Sequence, residues 1–89
     1  MVIDINKSWK CGNILFLYVK GHATANISNG SLFTFAGALI SPNSFTFGFP
    51  TGDTAWSVNG IAYGYTNSNS IVGTVGNGKY FHIAQAFLV

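Results

Sequence analysis

Charge is what this sequence has least of. Its 89 residues include four lysines and two aspartates, and neither arginine nor glutamate occurs. Charged residues make up 7% of the chain, whereas about 25% is usual in a soluble domain. So few charges would leave an exposed surface poorly protected against aggregation. Three classes of protein tolerate this composition: membrane proteins, disulfide-stapled secreted domains, and domains whose surface is covered by partner subunits.

Long apolar runs and paired cysteines are also missing. The longest apolar run covers six residues, Ile14 to Val19, far fewer than the roughly 20 that span a bilayer. The first residues, MVIDIN, lack the basic start and long apolar stretch of a signal peptide. Cys11 is the only cysteine, so no disulfide can form within the chain. We therefore expect no membrane insertion, and coverage by partner subunits is the explanation that remains.

The positive charges are too dispersed for a nucleic-acid interface. The net charge is +2, and the four lysines are scattered along the chain without forming a basic stripe. A protein that binds nucleic acid through its phosphates needs such a stripe or patch. We expect no nucleic-acid partner.

Strand-forming residues dominate what is present. Hydrophobic residues make up 48% of the chain and aromatic residues 16%. Short apolar segments separated by turn signals predict one all-β domain over residues 1–89, a small antiparallel β-sandwich or β-barrel of about seven to eight short strands. The predicted strands cover residues 14–20, 22–27, 32–35, 45–49, 57–65, 71–75 and 79–89. Turns are predicted at 28–31, 50–53, 67–70 and 76–78, and an irregular loop at 36–43.

Local patterns refine three of these elements. Asn29-Gly30 predicts a hairpin turn, because both residues tolerate positive φ. Phe45, Phe47 and Phe49 alternate along their strand, which predicts that their rings share one face. In the last strand the apolar residues change phase near Ala84-Gln85. Either a β-bulge lies there, or Gln85 points inward.

The order of these segments resembles a known family. The segments that carry the resemblance are GNILFL (12–17), NGSLFTF (29–35), FTFGFP (45–50), NGIAYGYTN (59–67) and KYFHIA (79–84). They are similar to the C-terminal head domains of receptor-binding proteins in the tail fibres and baseplates of phages of Gram-positive bacteria, lactococcal phages in particular. The resemblance covers roughly residues 10–89.

This resemblance implies a function and a place of action. It implies a homotrimer at the tip of a phage tail, part of the virion, that binds a bacterial cell-wall polysaccharide or teichoic acid. Residues 1–10 would be the segment next to the neck, with Trp9 as an anchor, and the remainder of the fibre or baseplate would be a partner. Saccharide sites of such heads use a tryptophan, a histidine and a charged residue, for which Asp53, Trp56 and His82 are the matching types here.

The same residues are the best candidates on their own chemistry. Trp56 follows a Gly-Asp loop, where its ring could stack on a sugar, or could instead plug the end of the barrel or the subunit interface. Asp53 could accept paired hydrogen bonds from neighbouring sugar hydroxyls. Tyr63 and Tyr65 share a strand face, which could line the same depression or form a subunit interface. His82 alternates with apolar neighbours and therefore faces outward, toward sugar or solvent.

Catalysis and metal binding lack the residues they need. Glycoside hydrolysis by the usual route requires two facing carboxylates, and only Asp4 and Asp53 exist, with Asp4 in a terminal segment. No Gly-x-Ser-x-Gly motif occurs, and the histidines and Cys11 show no metal-ligand spacing. We expect no enzyme, metal or cofactor. The alternatives to a receptor-binding head are a structural trimerisation or capping module without a ligand, a glycan depolymerase, and a monomeric lectin.

Overall fold

The computed structural model describes residues 1–34 and 44–88, and within these ranges the chain forms eight β-strands and no helix. The predicted loop at 36–43 lies outside the described residues. The strands are β1 (Val2–Asn6), β2 (Trp9–Cys11), β3 (Ile14–His22), β4 (Ile27–Thr34), β5 (Thr46–Gly52), β6 (Gly60–Asn67), β7 (Ser70–Val75) and β8 (Tyr80–Leu88).

All eight strands belong to one curled antiparallel sheet that forms half a barrel. Their order across the sheet is β1-β3-β8-β5-β6-β7-β4, and β2 also pairs with β3. The all-β prediction is therefore confirmed, with barrel-like curvature in a single sheet. Strand β8, last in sequence, lies inside the sheet between β3 and β5.

The concave face of the sheet holds the hydrophobic core. The prediction that three phenylalanines share a face is confirmed: Phe49 is buried, and Phe45 and Phe47 pack against the core. The rings of Phe45 and Phe47 lie 5.4 and 5.3 Å from that of Phe87. Burying one such ring contributes roughly 1.5–3 kcal/mol. The other buried core residues are Leu15, Leu17, Val19, Ala23, Leu32, Phe33, Ile71, Val75, Phe81 and Ile83.

Strands β3 and β8 form the longest ladder, and its register is continuous. Nine consecutive pairs join them, from Ile14↔Leu88 to His22↔Tyr80. The predicted bulge near Ala84-Gln85 is therefore wrong. The alternative, in which the strand keeps its alternation and Gln85 falls on the inward face, describes the register correctly. Gln85 lies on the same face of the sheet as Ile83. Its side chain is nevertheless exposed, because β5, the other neighbour of β8, does not pair with β8 at this position.

Two predicted breaks lie inside strands. The sequence boundary at Gly21 is wrong, since β3 continues to His22 and the chain bends at residues 24 and 25 instead of forming the predicted strand 22–27. A Cβ at Gly21 would lie 2.5 Å from the Val2 carbonyl oxygen and 2.9 Å from Cζ of Phe81. The glycine thus serves close packing between strands rather than a turn.

The Asn29-Gly30 hairpin is also wrong. Both residues lie within β4, where Asn29 has a φ of 48° and the register with β7 shifts between Ile27 and Gly30. The backbone N–H of Asn29 donates to Oγ1 of Thr74 at 3.0 Å. The positive φ that favours a hairpin here supports an irregularity inside a strand.

The remaining turns are partly as predicted. The hairpin between β6 and β7 is confirmed, with Ser68 at a φ of 56°. The turn after β7 also exists, but its strands β7 and β8 pair with other partners, so it is no hairpin. Strand β5 continues through Pro50 to Gly52, and β6 begins at Gly60. The connecting turn therefore comes later than predicted, at residues 53–59.

Candidate functional site

A cleft opens where β5 separates from β8. The two strands pair at only two positions, Thr51↔Phe81 and Gly52↔Tyr80. Pro50, which has no N–H to donate to a ladder, is the residue at which β5 leaves β8. Beyond it, no residue pair joins the two strands, and residues of both strands line the space between them.

We call this space the β5–β8 cleft. Its volume is about 490 Å³, within the usual range of small-molecule sites, roughly 300–1,000 Å³. The apolar part of its lining comes from Phe47 and Phe49 of β5 and from Ile83 of β8. The other lining residues are Tyr18, Lys20, Gly48, Pro50, Ala55, Trp56, Val58, His82, Ala84 and Gln85. The cleft thus combines apolar walls with a few polar groups.

His82 is a polar group of the cleft with unused hydrogen-bonding capacity. It is half-buried on β8 and is paired across the ladder with Lys20 of β3. Its Nε2 is buried, and no described residue forms a hydrogen bond with it. A buried nitrogen without a partner costs roughly 1–3 kcal/mol. Such a group is rare in a folded protein and calls for an explanation.

Trp56 stands over the cleft on the turn between β5 and β6. Its side chain is 92% exposed, so the alternative that it plugs the barrel does not describe this chain. Thr54 organises the turn, because its Oγ1 accepts hydrogen bonds from the backbone N–H groups of Trp56 at 3.3 Å and Ser57 at 3.1 Å. Side-chain hydroxyls that accept backbone hydrogen bonds in this way stabilise tight turns.

The turn lies close against the end of β5. A Cβ at Gly52 would lie 1.8 Å from the backbone oxygen of Ser57, so only glycine allows the turn to fold back this tightly. Asn59 then donates its backbone N–H to the carbonyl of Thr51 at 2.9 Å. The position of Trp56 above the cleft therefore depends on Gly52.

Asp53 supports the turn and does not line the β5–β8 cleft. Its carboxylate forms an ion pair with Lys79 and accepts a hydrogen bond from Nδ2 of Asn59 at 2.7 Å. The hydrogen bonds from Lys79 and Asn59, with the positive charge of Lys79, lower the pKa of Asp53 below its usual value. Both carboxylate oxygens are thus engaged within the protein.

The two predicted tyrosines have different surroundings. Tyr63 is 69% exposed and lines a shallow depression with Ile61, beside the β5–β8 cleft. Tyr65 is half-buried and pairs with Thr46 and Val72. It is among the lining residues of neither space. The structure therefore brings Trp56 and His82 together and leaves Tyr63 nearby.

Sequence reasoning missed three polar or aromatic residues of this region. Tyr18, Lys20 and His22 alternate with buried residues of β3 and so lie on the convex face. Tyr18 and Lys20 line the β5–β8 cleft, and the Lys20 Nζ lies 5.7 Å from the centre of the Tyr18 ring. Their alternation was a usable signal, but the segment reads as apolar on both faces because Phe16 and Tyr18 are aromatic.

A smaller depression lies on the other side of Trp56. It has a volume of about 220 Å³, and Lys20, Trp56 and His82 line both spaces. Asp4 is part of its wall, and its Oδ2 lies 3.0 Å from Nδ1 of His22. The carboxylate of Asp4 is therefore also engaged within the protein.

Other structural features bear on the remaining classes of function. Trp9 packs on the body of the domain, with its ring stacked on that of Phe16 at 4.4 Å. Cys11 is exposed on β2. Across residues 1–34 and 44–88, no three His, Cys, Asp or Glu side chains are grouped so that they could hold a metal ion. The same ranges contain no helix of the length and apolar character needed to cross a membrane.

Comparison with protein-family models, with curated proteins and with solved structures finds no match to this chain.

Proposed function

We propose that this chain is a host-adhesion domain, the receptor-binding head of a phage tail fibre or baseplate, which binds a bacterial cell-surface saccharide in the β5–β8 cleft. The observation that carries the proposal is the exposed ring of Trp56 over a cleft whose lining also includes the polar side chains of Lys20, His82 and Gln85. The apolar C–H face of a sugar packs on an aromatic ring, while its hydroxyls need hydrogen-bond partners. The cleft offers both within one space.

The charge of the cleft favours an acidic saccharide. Lys20 lines it, and no aspartate or glutamate is among its lining residues. Asp4 and Asp53, the only carboxylate side chains of the sequence, are bound to His22 and to Lys79. On the cleft side the ammonium group of Lys20 can attract phosphate, while Asp4 lies in the adjoining depression that Lys20 also lines. A phosphate-bearing wall polymer such as a teichoic acid therefore fits the cleft better than a neutral glycan.

The engagement of both aspartates also supports binding without cleavage. Glycoside hydrolysis by the usual route needs one carboxyl group on each side of the scissile bond. Asp53 lies outside the β5–β8 cleft, and Asp4 lies in the wall of the smaller depression. The proposal is thus an adhesin that holds its saccharide and leaves it intact.

We further propose that the head acts as a homotrimer at the tail tip of the virion, attached to the rest of the fibre or baseplate. Trp9 and Leu88 are 53% and 63% exposed, and they lie on β2 and β8, which both pair with β3. Burial of these side chains between subunits would compensate for the scarcity of surface charge. Three equal sites would gain avidity for a repetitive wall polymer.

A structural trimerisation module without a ligand is the second candidate. The exposed apolar side chains of Val58 and Ile61 favour it, at 62% and 69% exposure. Under this alternative, Trp56 and its neighbours would be buried against another subunit. Any saccharide binding would then be absent in the assembled protein.

The test is retention of the purified protein on cell walls from a panel of Gram-positive bacteria, together with its mass in solution by light scattering. Trp56→Ala should reduce wall retention about tenfold or more, because the ring supplies most of the stacking area, and should leave the mass unchanged. Trp56→Phe, which keeps an aromatic ring at the same position, is the matched control and should retain most of the binding. The structural alternative would be supported if the native protein is a trimer that binds none of the cell walls, or if the Trp56→Ala variant is no longer a trimer.

A further inference from the structure

The saccharide surface extends past the β5–β8 cleft. A shallow depression of about 290 Å³ adjoins it and shares Gly48, Phe49 and Pro50 with it. Ile61 and Tyr63 of β6 complete this second space. The two spaces therefore meet at β5, with Pro50 exposed between them.

Tyr63 has the geometry of a stacking platform. It pairs with Gly48 across the β5–β6 ladder, and a Cβ at Gly48 would lie 3.3 Å from Cε1 and 3.5 Å from Cδ1 of the tyrosine ring. With no side chain at Gly48, the ring rests directly against β5. Because 69% of Tyr63 stays exposed, most of its surface is open to a ligand while the strand beneath limits its movement.

From this arrangement we infer that Tyr63 forms a second sugar subsite, continuous with the Trp56–His82 site, so that the protein binds an extended glycan across at least two adjoining sugar units. This rests on the proposed function and adds to it the length of the ligand. A single sugar would occupy the cleft and leave the Tyr63 ring uncovered. A chain that leaves the cleft across Pro50 would place its next unit over that ring, where the same C–H stacking operates.

The character of the second space fits a sugar ring better than a charged group. Its lining residues carry no ionisable side chain except the tyrosine hydroxyl. The acidic group of the glycan would therefore bind near Lys20 in the cleft, and the unit over Tyr63 would contribute apolar contact. The second subsite would thus make the affinity depend on the length of the glycan, while the cleft selects for its charge.

The experiment uses the cell wall to which the native protein binds most strongly. Its polysaccharide is released by mild acid and separated into fragments of one to six sugar units, and the affinity of each fragment is measured by calorimetry. We expect the affinity of the native protein to rise about tenfold from the single unit to the longer fragments, the size of one added aromatic contact. Tyr63→Ala should bind the single unit as the native protein does and lose the rise with length. Tyr63→Phe, which keeps the ring, should retain it.

Each other outcome has a defined meaning. If the native protein binds no cell wall of the panel, the proposed function fails and this inference fails with it. If Trp56→Ala weakens binding but native protein and Tyr63→Ala show the same dependence on length, the second subsite is refuted and the proposed function stands. A loss of the rise in Tyr63→Phe would refute stacking. A change of mass in Tyr63→Ala would assign the platform to a subunit interface and overturn the inference.

Discussion

Asp53 and Lys79 form an ion pair that joins the turn above the cleft to the start of strand β8. Three positions after Asp53, the same turn presents Trp56. One end of the cleft is formed by the two residue pairs that join β5 to β8, and the ion pair lies next to this short ladder. The two aspartate oxygens thus position the aromatic ring without contacting the cleft themselves.

Acid should release this turn. Since the pKa of Asp53 is lowered in the folded protein, its ion pair is complete above the usual aspartate value of about 3.9 and is lost as the pH falls through the lowered value. With Trp9 replaced by Phe, the fluorescence of Trp56 alone should change below about pH 4. Asp53→Asn, in the same background, should lack this acid transition and should bind wall polysaccharide more weakly at neutral pH. An identical titration in both proteins would contradict the positioning role.

Substitution of Gly52 should be costly. In Gly52→Ala the new Cβ would overlap the backbone of Ser57, which cannot move without displacing the turn. We expect a loss of about 1–3 kcal/mol in the free energy of unfolding, measured by denaturant titration, and weaker wall binding. Gly76→Ala is the control, because its Cβ would meet only ordinary van der Waals contacts, Cγ of Lys79 at 3.5 Å and Oδ1 of Asn26 at 4.0 Å. Equal stability of the two variants would show that the turn adapts.

Replacement of His82 should raise the stability of the protein and weaken its binding to cell walls. His82→Phe replaces a buried, unpartnered nitrogen with a ring that needs no hydrogen bond. Thermal or chemical unfolding should show a gain of about 1 kcal/mol, while retention on cell walls falls. A variant that is less stable than the native protein would mean that the imidazole is satisfied in solution, and the strongest sign of a ligand at this position would be lost.

Local patterns predicted the parts of the fold that depend on neighbouring residues. The alternation of Phe45, Phe47 and Phe49 and the turn around Ser68 follow from periodicity and turn chemistry, and both are confirmed. Gly21 and Asn29 were misread as strand boundaries. The close packing of Gly21 against Val2 and Phe81 and the hydrogen bond from Asn29 to Thr74 involve residues distant in sequence, which no local pattern contains.

The candidate site illustrates the same limit. Residue type alone identified Trp56 and His82, and the structure brings them to one cleft. It could not identify the role of Asp53, because Lys79, its partner, lies 26 positions away. Nor could it locate the cleft itself. The cleft exists because β5 pairs with β8 at only two positions, a property of strand order rather than of any segment.

The nine-pair ladder between β3 and β8 also constrains how the chain folds. Ile14 pairs with Leu88, and His22 with Tyr80, so this ladder closes loops that contain most of the sequence. Closing such loops costs conformational entropy before any contact compensates for it, and chains rich in distant pairings fold slowly. During synthesis, β3 leaves the ribosome long before β8 exists. Its apolar residues Leu15, Leu17 and Val19 must therefore remain without their partners on β8, exposed to aggregation, until translation has delivered that strand.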